Sequence, residues 1–304
     1  MDADDPHPPR RITPFDPPHF AAARFPLSEA AIVTLVQSAL DEDHAFEDVT
    51  TLATVLPTRR IRAKLVAREP GVIAGIPLAL AAFRLLDAGI EIRVDAEDCT
   101  ALKRDDTVLF LSGHARGLLS AERTALNFLQ HLSGVATVTR KFVEAVKGTR
   151  AAIVDTRKTL PGWRKLEKYA VRCGGGVNLR FDLASAVLIK DNHLAAVDGD
   201  IALAIKRVRE YAAAGTPIQV EVESPEQARI AVNAGAESIL LDNMSDEDMR
   251  ICVDLARGRC ITEASGGVKL GTVRAIAETG VDRISIGALT HSVRAVDLGL
   301  DFEE

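Results

Sequence analysis

Cations that directly follow short apolar runs are the residues of this sequence best placed to do chemistry. Residues 155–193 include eight lysines and arginines against four acidic residues, whereas the whole chain has a net charge of −6. Within this stretch Arg157, Lys158 and Lys190 stand where predicted strands end. Arginine and lysine in such positions bind carboxylate or phosphate groups. The stretch therefore predicts a site for small substrates that carry several negative charges.

The other cations of this stretch have a simpler interpretation. Arg164, Lys165 and Lys168 lie on a predicted helix, where they would form a solvated basic surface. The triple glycine over residues 174–176 follows that helix and is typical of a helix end with a sharp turn. Neither pattern alone indicates a function.

Glycine-rich loops follow the last two predicted strands. Ser265, Gly266 and Gly267 separate a strand from a helix predicted over 269–278, and Gly287 opens the next helix. Glycine allows a ligand to approach the backbone closely, and a helix amino terminus offers N–H groups that the helix does not use. Phosphate sites of α/β barrels are commonly built by the last two such loops. A tight turn would explain the first loop alone, but the two loops together predict phosphate binding.

Acidic residues end two other predicted strands. Glu221 and Glu223 end one strand, and Asp242 ends the next. Side chains alternate along a strand, so Glu221 and Glu223 point to one face and Val222 points to the other. Carboxylates at the mouth of a barrel suit Mg²⁺, which is held by few protein ligands, or ribose hydroxyls. Salt bridges to nearby lysines are the alternative, and both interpretations can hold together.

Six short apolar strands that alternate with helices must position these residues. The strands are predicted over 152–155, 186–190, 218–223, 238–242, 260–264 and 283–286. The last four begin about 20 residues apart, the length of one βα unit, which predicts a parallel barrel or a doubly wound sheet. Nearly every strand ends in a polar or glycine-rich cluster. A barrel gathers such ends around one mouth, whereas an open sheet spreads them along an edge, so the barrel is favoured.

The first half of the chain predicts a smaller α+β layer. Ser28 is a suitable N-cap for a first helix with apolar residues at helical spacing. The remaining predicted elements are strands over 61–68, 71–76, 90–94 and 107–114, followed by helices near 118–132 and 135–146. Residues 1–26 contain seven of the thirteen prolines, which excludes a helix or a central strand and predicts a disordered or loosely docked arm.

Composition excludes several functional classes. The hydrophobic fraction of 47% is enough for a large core, and the net charge of −6 argues against a general nucleic-acid binder. No apolar run reaches the roughly 18 residues of a membrane span, and the amino terminus lacks the apolar segment of a secretory signal. The four cysteines fit no zinc-binding spacing, and we expect free thiols in a reducing cytoplasm. They are Cys99, Cys173, Cys252 and Cys260.

The motifs occur in an order that resembles the quinolinate phosphoribosyltransferase family. The matching segments are 122–127 (ERTALN), 155–159 (DTRKT), 168–171 (KYAV), 174–176 (GGG), 188–193 (LIKDNH), 220–223 (VEVE), 241–243 (LDN), 263–267 (EASGG) and 287–292 (GALTHS). They extend the resemblance over nearly the whole chain from residue 27 onwards.

The resemblance implies an incomplete parallel α/β barrel of about six strands with an amino-terminal α+β sheet-and-helix sandwich domain. We expect the sandwich domain over residues 27–133 and 289–304, and the barrel, the phosphoribosyltransferase domain, over 134–288. The C-terminal tail, residues 293–302, is expected to return to the sandwich. The resemblance also implies a homodimer or a higher assembly in which Arg123 reaches the partner subunit's site.

The resemblance further implies an enzyme of NAD biosynthesis. It would join quinolinate to phosphoribosyl pyrophosphate and release nicotinate mononucleotide, pyrophosphate and CO₂. The implied catalytic residues are Lys158, Glu221 and Asp242, of which Glu221 and Asp242 would hold the cofactor Mg²⁺. The cations would clamp the quinolinate carboxylates, and the glycine loops would surround the 5′-phosphate. The expected substrate-binding residues are Arg123, Thr156, Arg157, Arg180, Lys190, Ser265, Gly266, Gly267, Gly287 and His291.

Two segments depart from the family pattern. The family has Asn-His-Arg where this chain has Asn178-Leu179-Arg180, so a histidine credited with substrate contact is replaced by leucine. The family's Gly-Asp-x-Thr-Thr segment stands here as residues 47–51 (EDVTT). Leu179 motivates two alternatives: a catalytically weak homologue that binds a phosphorylated ligand, or a transferase for another pyridine carboxylate. The retained cations and carboxylates favour the enzyme that uses quinolinate.

Overall fold

The computed structural model describes residues 24–303, and the chain divides into two units. The sandwich unit consists, within the described residues, of 24–141, 158–176 and 288–303. The barrel unit consists of Phe142–Arg157 and Val177–Gly287. Residues 158–176 thus group with the sandwich unit, although they lie within the barrel domain predicted over 134–288. The predicted domain boundaries stay a prediction, and nearly all of the predicted arm lies outside the described residues.

The strands of the sandwich unit form two antiparallel sheets. They are β1 (Arg60–Ala67), β2 (Gly71–Val72), β3 (Glu91–Val94), β4 (Ala101–Leu102), β5 (Thr107–His114) and β12 (Leu298–Glu303). The larger sheet has the order β12-β1-β5-β3, and β2 pairs with β4. Strand β12 pairs with β1 from Ala67↔Leu298 to Arg62↔Glu303. The predicted return of the C-terminal tail to the sandwich is therefore confirmed.

The sandwich unit also contains helices. They are α1 (Glu29–Glu42), α2 (Val49–Thr54), α3 (Ile76–Leu86), α4 (Ala115–Ala145), α5 (Arg164–Cys173) and α11 (Ala288–His291), with a short 3-10 helix at Ala45–Glu47. Helix α1 begins as predicted, because the Ser28 side chain accepts a hydrogen bond from the Ala31 N–H at 3.3 Å. The same arrangement at Asp48 and Thr51 begins α2.

Helix α3 replaces the end of a predicted strand. The strand predicted over 71–76 stops at Val72, and the chain turns at Gly75, whose φ of +104° suits glycine. Pro77 then stands in the first turn of the helix, and Asp98 accepts the Ile76 N–H at 3.0 Å. The apolar run indicated burial correctly, but the prediction of a strand was wrong for its second half.

Helix α4 is one continuous helix of 31 residues. The prediction of two separate helices was wrong, because Gly134 does not end a helix here. A Cβ at Gly134 would lie 2.4 Å from the Arg294 carbonyl oxygen, so the glycine allows the chain near α11 to approach the helix closely. Next to it, the Ser133 hydroxyl accepts the Ala74 N–H at 3.1 Å. Contacts with residues far away in sequence therefore explain why glycine stands at position 134 and serine at position 133.

The barrel unit contains one parallel sheet of six strands. They are β6 (Ala152–Val154), β7 (Val187–Ile189), β8 (Ile218–Val222), β9 (Ser238–Asp242), β10 (Ile261–Ser265) and β11 (Arg283–Ser285). The order β6-β11-β10-β9-β8-β7 places each strand from β7 to β11 beside its neighbour in sequence, and β6 closes onto β11. Strands β6 and β7 are the two outer strands of this order, and they do not pair with each other, so the barrel is not closed. This is the predicted incomplete barrel, with all six strands close to their predicted bounds.

The two faces of this sheet differ in polarity. Residues that pair directly across parallel strands share a face, so Glu221 and Glu263, which both pair with Leu240, lie on the same side. That side also carries Gln219, two residues before Glu221 on β8, and Asp242, two residues after Leu240 on β9. The opposite side consists mainly of fully buried aliphatic residues, including Val220, Val222, Ile239, Leu241 and Ile284. The polar face is therefore the side on which chemistry can take place.

The helices of the barrel unit are α6 (Asp191–Ala195), α7 (Ile201–Tyr211), α8 (Pro225–Asn233), α9 (Asp246–Ala256) and α10 (Val273–Glu278). Side chains of Asp200, Ser224 and Ser245 cap α7, α8 and α9. Helix α10 begins later than the predicted residue 269. Residues 269–272 instead form a turn in which the Thr272 N–H donates to the Lys269 carbonyl at 3.0 Å.

Two predictions from composition concern membrane-spanning helices and the state of the cysteines. None of the helices within residues 24–303 combines the length and the apolar character that crossing a bilayer requires. All four cysteines are free thiols, and Cys173, Cys252 and Cys260 are buried. Burial raises the pKa of Cys252 to about 11 and that of Cys260 to about 12, which keeps both in the unreactive thiol form at neutral pH.

We predict that Gly134→Ala lowers the free energy of unfolding. The new Cβ would meet the Arg294 carbonyl oxygen at 2.4 Å, and such overpacking costs about 1–3 kcal/mol. This cost opposes the gain of about 1 kcal/mol that alanine normally brings to a helix interior. Urea denaturation followed by circular dichroism measures the difference. Gly271→Ala is the control, since nothing lies within 4 Å of a Cβ there. A Gly134→Ala protein as stable as this control would contradict the packing role.

Candidate active site

The carboxyl edge of the parallel sheet carries the predicted acidic residues of the barrel unit. Lys190 directly follows β7, and its Nζ lies 2.5 Å from Glu221 Oε2 on β8. Asp242 ends β9, pairs with Ser265 on β10, and accepts a hydrogen bond from Asn243 Nδ2 at 2.9 Å. The sheet thus brings Lys190, Glu221, Asp242 and Ser265 to one edge. The salt bridge considered as the alternative for Glu221 is present.

Glu263 lies on this face and belongs to the motif at residues 263–267, but it is not among the predicted site residues. It is 1% exposed, and its Oε2 accepts a hydrogen bond from Gln219 Nε2 at 2.9 Å. Burial raises the pKa of Glu263, while the hydrogen bonds from Gln219 and Ser285 and the charge of Arg283 oppose that shift. A charged residue in the middle of a predicted strand was the available signal.

The charge of one predicted clamp residue, Arg157, acts on another, Arg180. Burial lowers the pKa of the Arg180 guanidinium, and the positive charge of Arg157 lowers it further. The negative charge of Glu263 acts in the opposite direction. Two like charges in a partly buried place repel each other, and an anion bound beside both would relieve that repulsion. This arrangement suits a ligand with more than one negative charge.

Asp155 places Arg180 near Arg157. Its side chain is 1% exposed and accepts hydrogen bonds from Asn178 Nδ2 at 2.6 Å and from the Leu179 N–H at 2.9 Å. The Asp155 N–H donates to the Val177 carbonyl at 3.2 Å, which continues a bridge between Val177 and β6. The Leu179 contact uses the main chain, so it does not depend on the leucine side chain.

The loop after β10 is built around close contact with Asn243. Gly266 and Gly267 have φ values of +90° and +58°, a region that favours glycine. A Cβ at Gly266 would lie 2.2 Å from the Asn243 side chain, and the Asn243 N–H donates to the Ser265 carbonyl at 2.9 Å. Because α10 begins only at Val273, its amino terminus does not directly follow the glycines. The predicted contribution of that helix end is wrong, whereas the loop backbone itself remains available.

The other residues assigned to the site lie on separate elements. Thr156 is half-buried and Gly287 follows β11, both in the barrel unit. In the sandwich unit, Arg123 is exposed on α4 and His291 is exposed at the end of α11, where its Nδ1 lies 2.6 Å from Ser292 Oγ. Lys158, also in the sandwich unit, is exposed, and its carbonyl accepts a hydrogen bond from the Thr290 hydroxyl at 2.6 Å.

The interpretation of α5 as a solvated basic helix is wrong for Lys168, which is buried. Its side chain is 2% exposed, and its neighbour Glu167 is fully buried. Lys165 is exposed as expected, while Arg164 is half-buried and donates to Thr159 Oγ1 at 3.1 Å. The helix therefore carries charged residues inside the sandwich unit, where packing rather than the pattern of the sequence decides their exposure.

Comparison with known proteins extends these observations. Two family models match: the quinolinate phosphoribosyl transferase N-terminal domain over residues 48–133 and the C-terminal domain over residues 135–301. The chain is 46% identical over 275 residues to the nicotinate-nucleotide pyrophosphorylase [carboxylating] of Mycobacterium leprae, covering 88% of this chain and 95% of the relative. It is 42% identical over 260 residues to the probable enzyme of that name from Bacillus subtilis, covering 86% and 89%.

Solved structures agree with these relatives. The structure of the nicotinate-nucleotide pyrophosphorylase from Francisella tularensis superposes with a TM-score of 0.85 at 38% sequence identity. The superposition covers 92% of this chain and 99% of that one. The two family models together span most of the chain, and the relatives match it at nearly their full length. The chain therefore belongs to the quinolinate phosphoribosyltransferase family.

Proposed function

We propose that this chain transfers the phosphoribosyl group of phosphoribosyl pyrophosphate to quinolinate. The products are nicotinate mononucleotide, pyrophosphate and CO₂, and the reaction is a step of NAD biosynthesis. The observation that carries the proposal is the Arg157–Arg180 pair at the carboxyl edge of an incomplete barrel. Two neighbouring cations, of which Arg157 lowers the pKa of the partly buried Arg180, suit the two carboxylates of quinolinate.

Charge placement accounts for the first part of the reaction. Breaking the bond between ribose C1 and pyrophosphate leaves an oxocarbenium-like centre, which the carboxylates of Glu221 and Asp242 would stabilise through the ribose hydroxyls. Lys158 would neutralise the charge that develops on the leaving pyrophosphate. Lys190 would contact a substrate carboxylate, and its salt bridge with Glu221 holds both side chains in place until then. Orientation and charge are sufficient here without a covalent nucleophile.

Loss of CO₂ follows from the chemistry of the product ring. When the quinolinate nitrogen is joined to ribose, the ring carries a positive charge beside the carboxylate that leaves. The electron pair from the broken carbon–carbon bond is stabilised by this pyridinium nitrogen, and a proton then replaces the carboxylate. The protein must hold the other carboxylate in place, a role for which Arg157 and Arg180 are suited.

Mg²⁺ is the proposed cofactor. Among residues 24–303 no cluster of three His, Cys, Asp or Glu side chains is arranged to hold a metal. Mg²⁺ commonly uses one or two carboxylates together with water and substrate phosphates, so Glu221 and Asp242 on neighbouring strands fit this ion. When bound, the ion would stabilise negative charge on pyrophosphate.

The 5′-phosphate of ribose would lie against the loop after β10. Gly266 accommodates Asn243, whereas a Cβ at Gly267 would meet only Asn243 Oδ1, at 3.8 Å, among the described residues. Gly267 therefore leaves the backbone of this loop open to a ligand, and Ser265 adds a hydroxyl. Gly287 follows the adjacent strand β11, so both loops begin at the same edge of the sheet. Neighbouring βα loops at this end commonly bind phosphate in α/β barrels.

A homodimer is the proposed assembly. The first described elements of the sandwich unit expose large apolar side chains, which we call the apolar patch. It consists of Val33 (41% exposed), Phe46 (48%), Val49 (79%), Leu52 (46%) and Leu56 (73%). Apolar groups concentrated in this way commonly mark a protein–protein interface.

Arg123 stands beside the apolar patch. Arg116 donates hydrogen bonds to the carbonyls of Val55 and Leu52, and Ser120 donates to Asp48, so this face of α4 contacts the segment that carries the patch. Arg123 follows Ser120 by three residues and therefore lies on the same face of the helix. This position supports the proposal that Arg123 crosses a dimer interface to the partner subunit's site. A cytoplasmic location is proposed with it and is supported by the free thiols.

The proposed reaction is tested with purified protein, quinolinate, phosphoribosyl pyrophosphate and Mg²⁺. We expect nicotinate mononucleotide, measured by chromatography, to form in amounts equal to the pyrophosphate released. Saturable binding of the substrates without product would support a catalytically weak homologue. Product from nicotinate but not from quinolinate would instead indicate a transferase for another pyridine carboxylate, and the proposed substrate would be wrong.

Arg157→Ala should lower kcat/KM for quinolinate strongly. Removing one partner of a buried charge pair costs about 2–5 kcal/mol, because the other charge is left without compensation. Steady-state kinetics on the folded variant measures this loss. Lys165→Ala is the matched control, since Lys165 is exposed on α5 within the same basic stretch. A near-normal kcat/KM for Arg157→Ala would refute the role assigned to this arginine.

Leu179→His should leave kcat/KM unchanged or lower the KM for quinolinate. The contact of Leu179 with Asp155 uses the main-chain N–H, which histidine retains, and the imidazole adds a group that can contact a carboxylate. Phe181→His, at an exposed apolar position two residues further on, controls for a general effect of added histidine. A collapse of activity in Leu179→His alone would show that the substrate pocket is built around leucine.

A further inference from the structure

Three side chains of the sandwich unit hold the segment Lys158–Leu160. The Thr290 hydroxyl, 2% exposed, donates to the Lys158 carbonyl at 2.6 Å. Arg164 Nε donates to Thr159 Oγ1 at 3.1 Å, and Glu167 Oε2 accepts the Leu160 N–H at 3.1 Å. Each of three consecutive residues is therefore anchored by a side chain from α5 or α11. Such anchoring restricts where the backbone of Lys158 can lie.

Glu167 is the least solvated of these anchors. Its side chain is fully buried, and its second oxygen, Oε1, lies 2.8 Å from His131 Nε2. Because a carboxylate only accepts hydrogen bonds, the ring nitrogen donates in this contact. The His131 ring packs edge-on against Trp163 at a centroid distance of 5.5 Å, and Trp163 stacks on Phe128 at 5.3 Å. Trp163, which directly precedes α5, thus fixes the imidazole, and the imidazole in turn orients the carboxylate.

Burying a carboxylate is costly unless hydrogen bonds replace its water. One oxygen of Glu167 contacts His131 on α4, which lies far away in sequence, and the other accepts from Leu160 in the segment that follows Lys158. A role confined to packing would be served by an apolar residue of similar volume, which avoids that cost. The carboxylate instead joins α4 to the Lys158 segment, and this segment is where charge on pyrophosphate would be neutralised.

We infer that Glu167, oriented by His131, is a positioning residue that sets the place of Lys158 for the pyrophosphate group. The inference rests on the proposed function, in which Lys158 contacts that group. Glu167 itself touches no reacting atom. It acts on the reaction through the Leu160 N–H and the short backbone that joins Leu160 to Lys158.

A double-mutant cycle on Glu167 and Lys158 tests the inference. Glu167→Gln replaces one acceptor oxygen with a donor, so it cannot accept from Leu160 and His131 at once. We expect Glu167→Gln and Lys158→Ala each to weaken binding of magnesium pyrophosphate, measured by calorimetry, and to lower kcat. A small misplacement of a catalytic group costs up to about 100-fold in rate. The double variant should be no worse than Lys158→Ala alone, because the two residues act as one unit.

Asp87→Asn is the matched control. Asp87 also combines a histidine and a backbone N–H, since it accepts from His114 Nδ1 at 2.9 Å and from the Gly89 N–H at 2.9 Å. It lies at the end of α3 and does not contact the Lys158 segment through these bonds. We expect Asp87→Asn to lower thermal stability about as much as Glu167→Gln, while its effects on pyrophosphate affinity and kcat, if any, add to those of Lys158→Ala.

Thr290→Val provides a second route if Glu167→Gln fails to fold. It removes the hydroxyl that donates to the Lys158 carbonyl and keeps the side-chain volume. The same lack of additivity with Lys158→Ala is expected. Additive losses in either cycle, or a folded Glu167→Gln protein with normal pyrophosphate affinity, would overturn the positioning role. An inactive wild-type protein would contradict the proposed reaction instead, because the binding cycle does not require turnover.

Discussion

The geometry of the proposed anion-binding edge depends on the buried carboxylate of Asp155. The chain leaves the barrel unit after Arg157 and returns at Val177, and Asp155 joins these two points through Asn178 and the Leu179 N–H. A buried carboxylate requires such donors, and here they come from the returning segment. The same bonds bring Arg180 within electrostatic reach of Arg157. The hydrogen-bonded carboxylate of Asp155 therefore determines where Arg180 lies relative to Arg157.

On the polar face of the parallel sheet, carboxylates likewise lie close to cations. Its strands have buried aliphatic residues on one side, which lets the helices cover that side, and carboxylates on the other. Glu263 is deeply buried and offsets part of the repulsion between the arginines, while Glu221 holds Lys190. Uncompensated charges would destabilise the folded protein. Here nearby carboxylates partly compensate the cations, which suits the edge to the proposed anionic ligand.

Much of the barrel could be predicted because its signals are local. Short apolar strands with polar ends repeat at a regular spacing, and Lys190 and Asp242 are recognisable as strand ends. Residues defined by long-range contacts could not be predicted in this way. Gly134 resembles a helix end in the sequence, yet it serves the approach of Arg294. Gly75 directs the chain into α3, where an apolar run alone indicated a strand. Likewise, neither the burial of Lys168 nor the partners of Glu263 follow from spacing, since both depend on packing and strand register.

The pairing of β12 with β1 also affects how this protein is made. Strand β1 is an inner strand of its sheet only because β12 covers it. During synthesis its partner β5 emerges early, but β12 follows only after α4 and the whole barrel unit. At typical rates of elongation, β1 then waits on the order of ten seconds or more as an edge strand with unpaired backbone groups. A nascent chain stalled before residue 298 would present that edge to other chains, so the ribosome-bound intermediate, rather than the finished enzyme, is the form most exposed to aggregation and to chaperones.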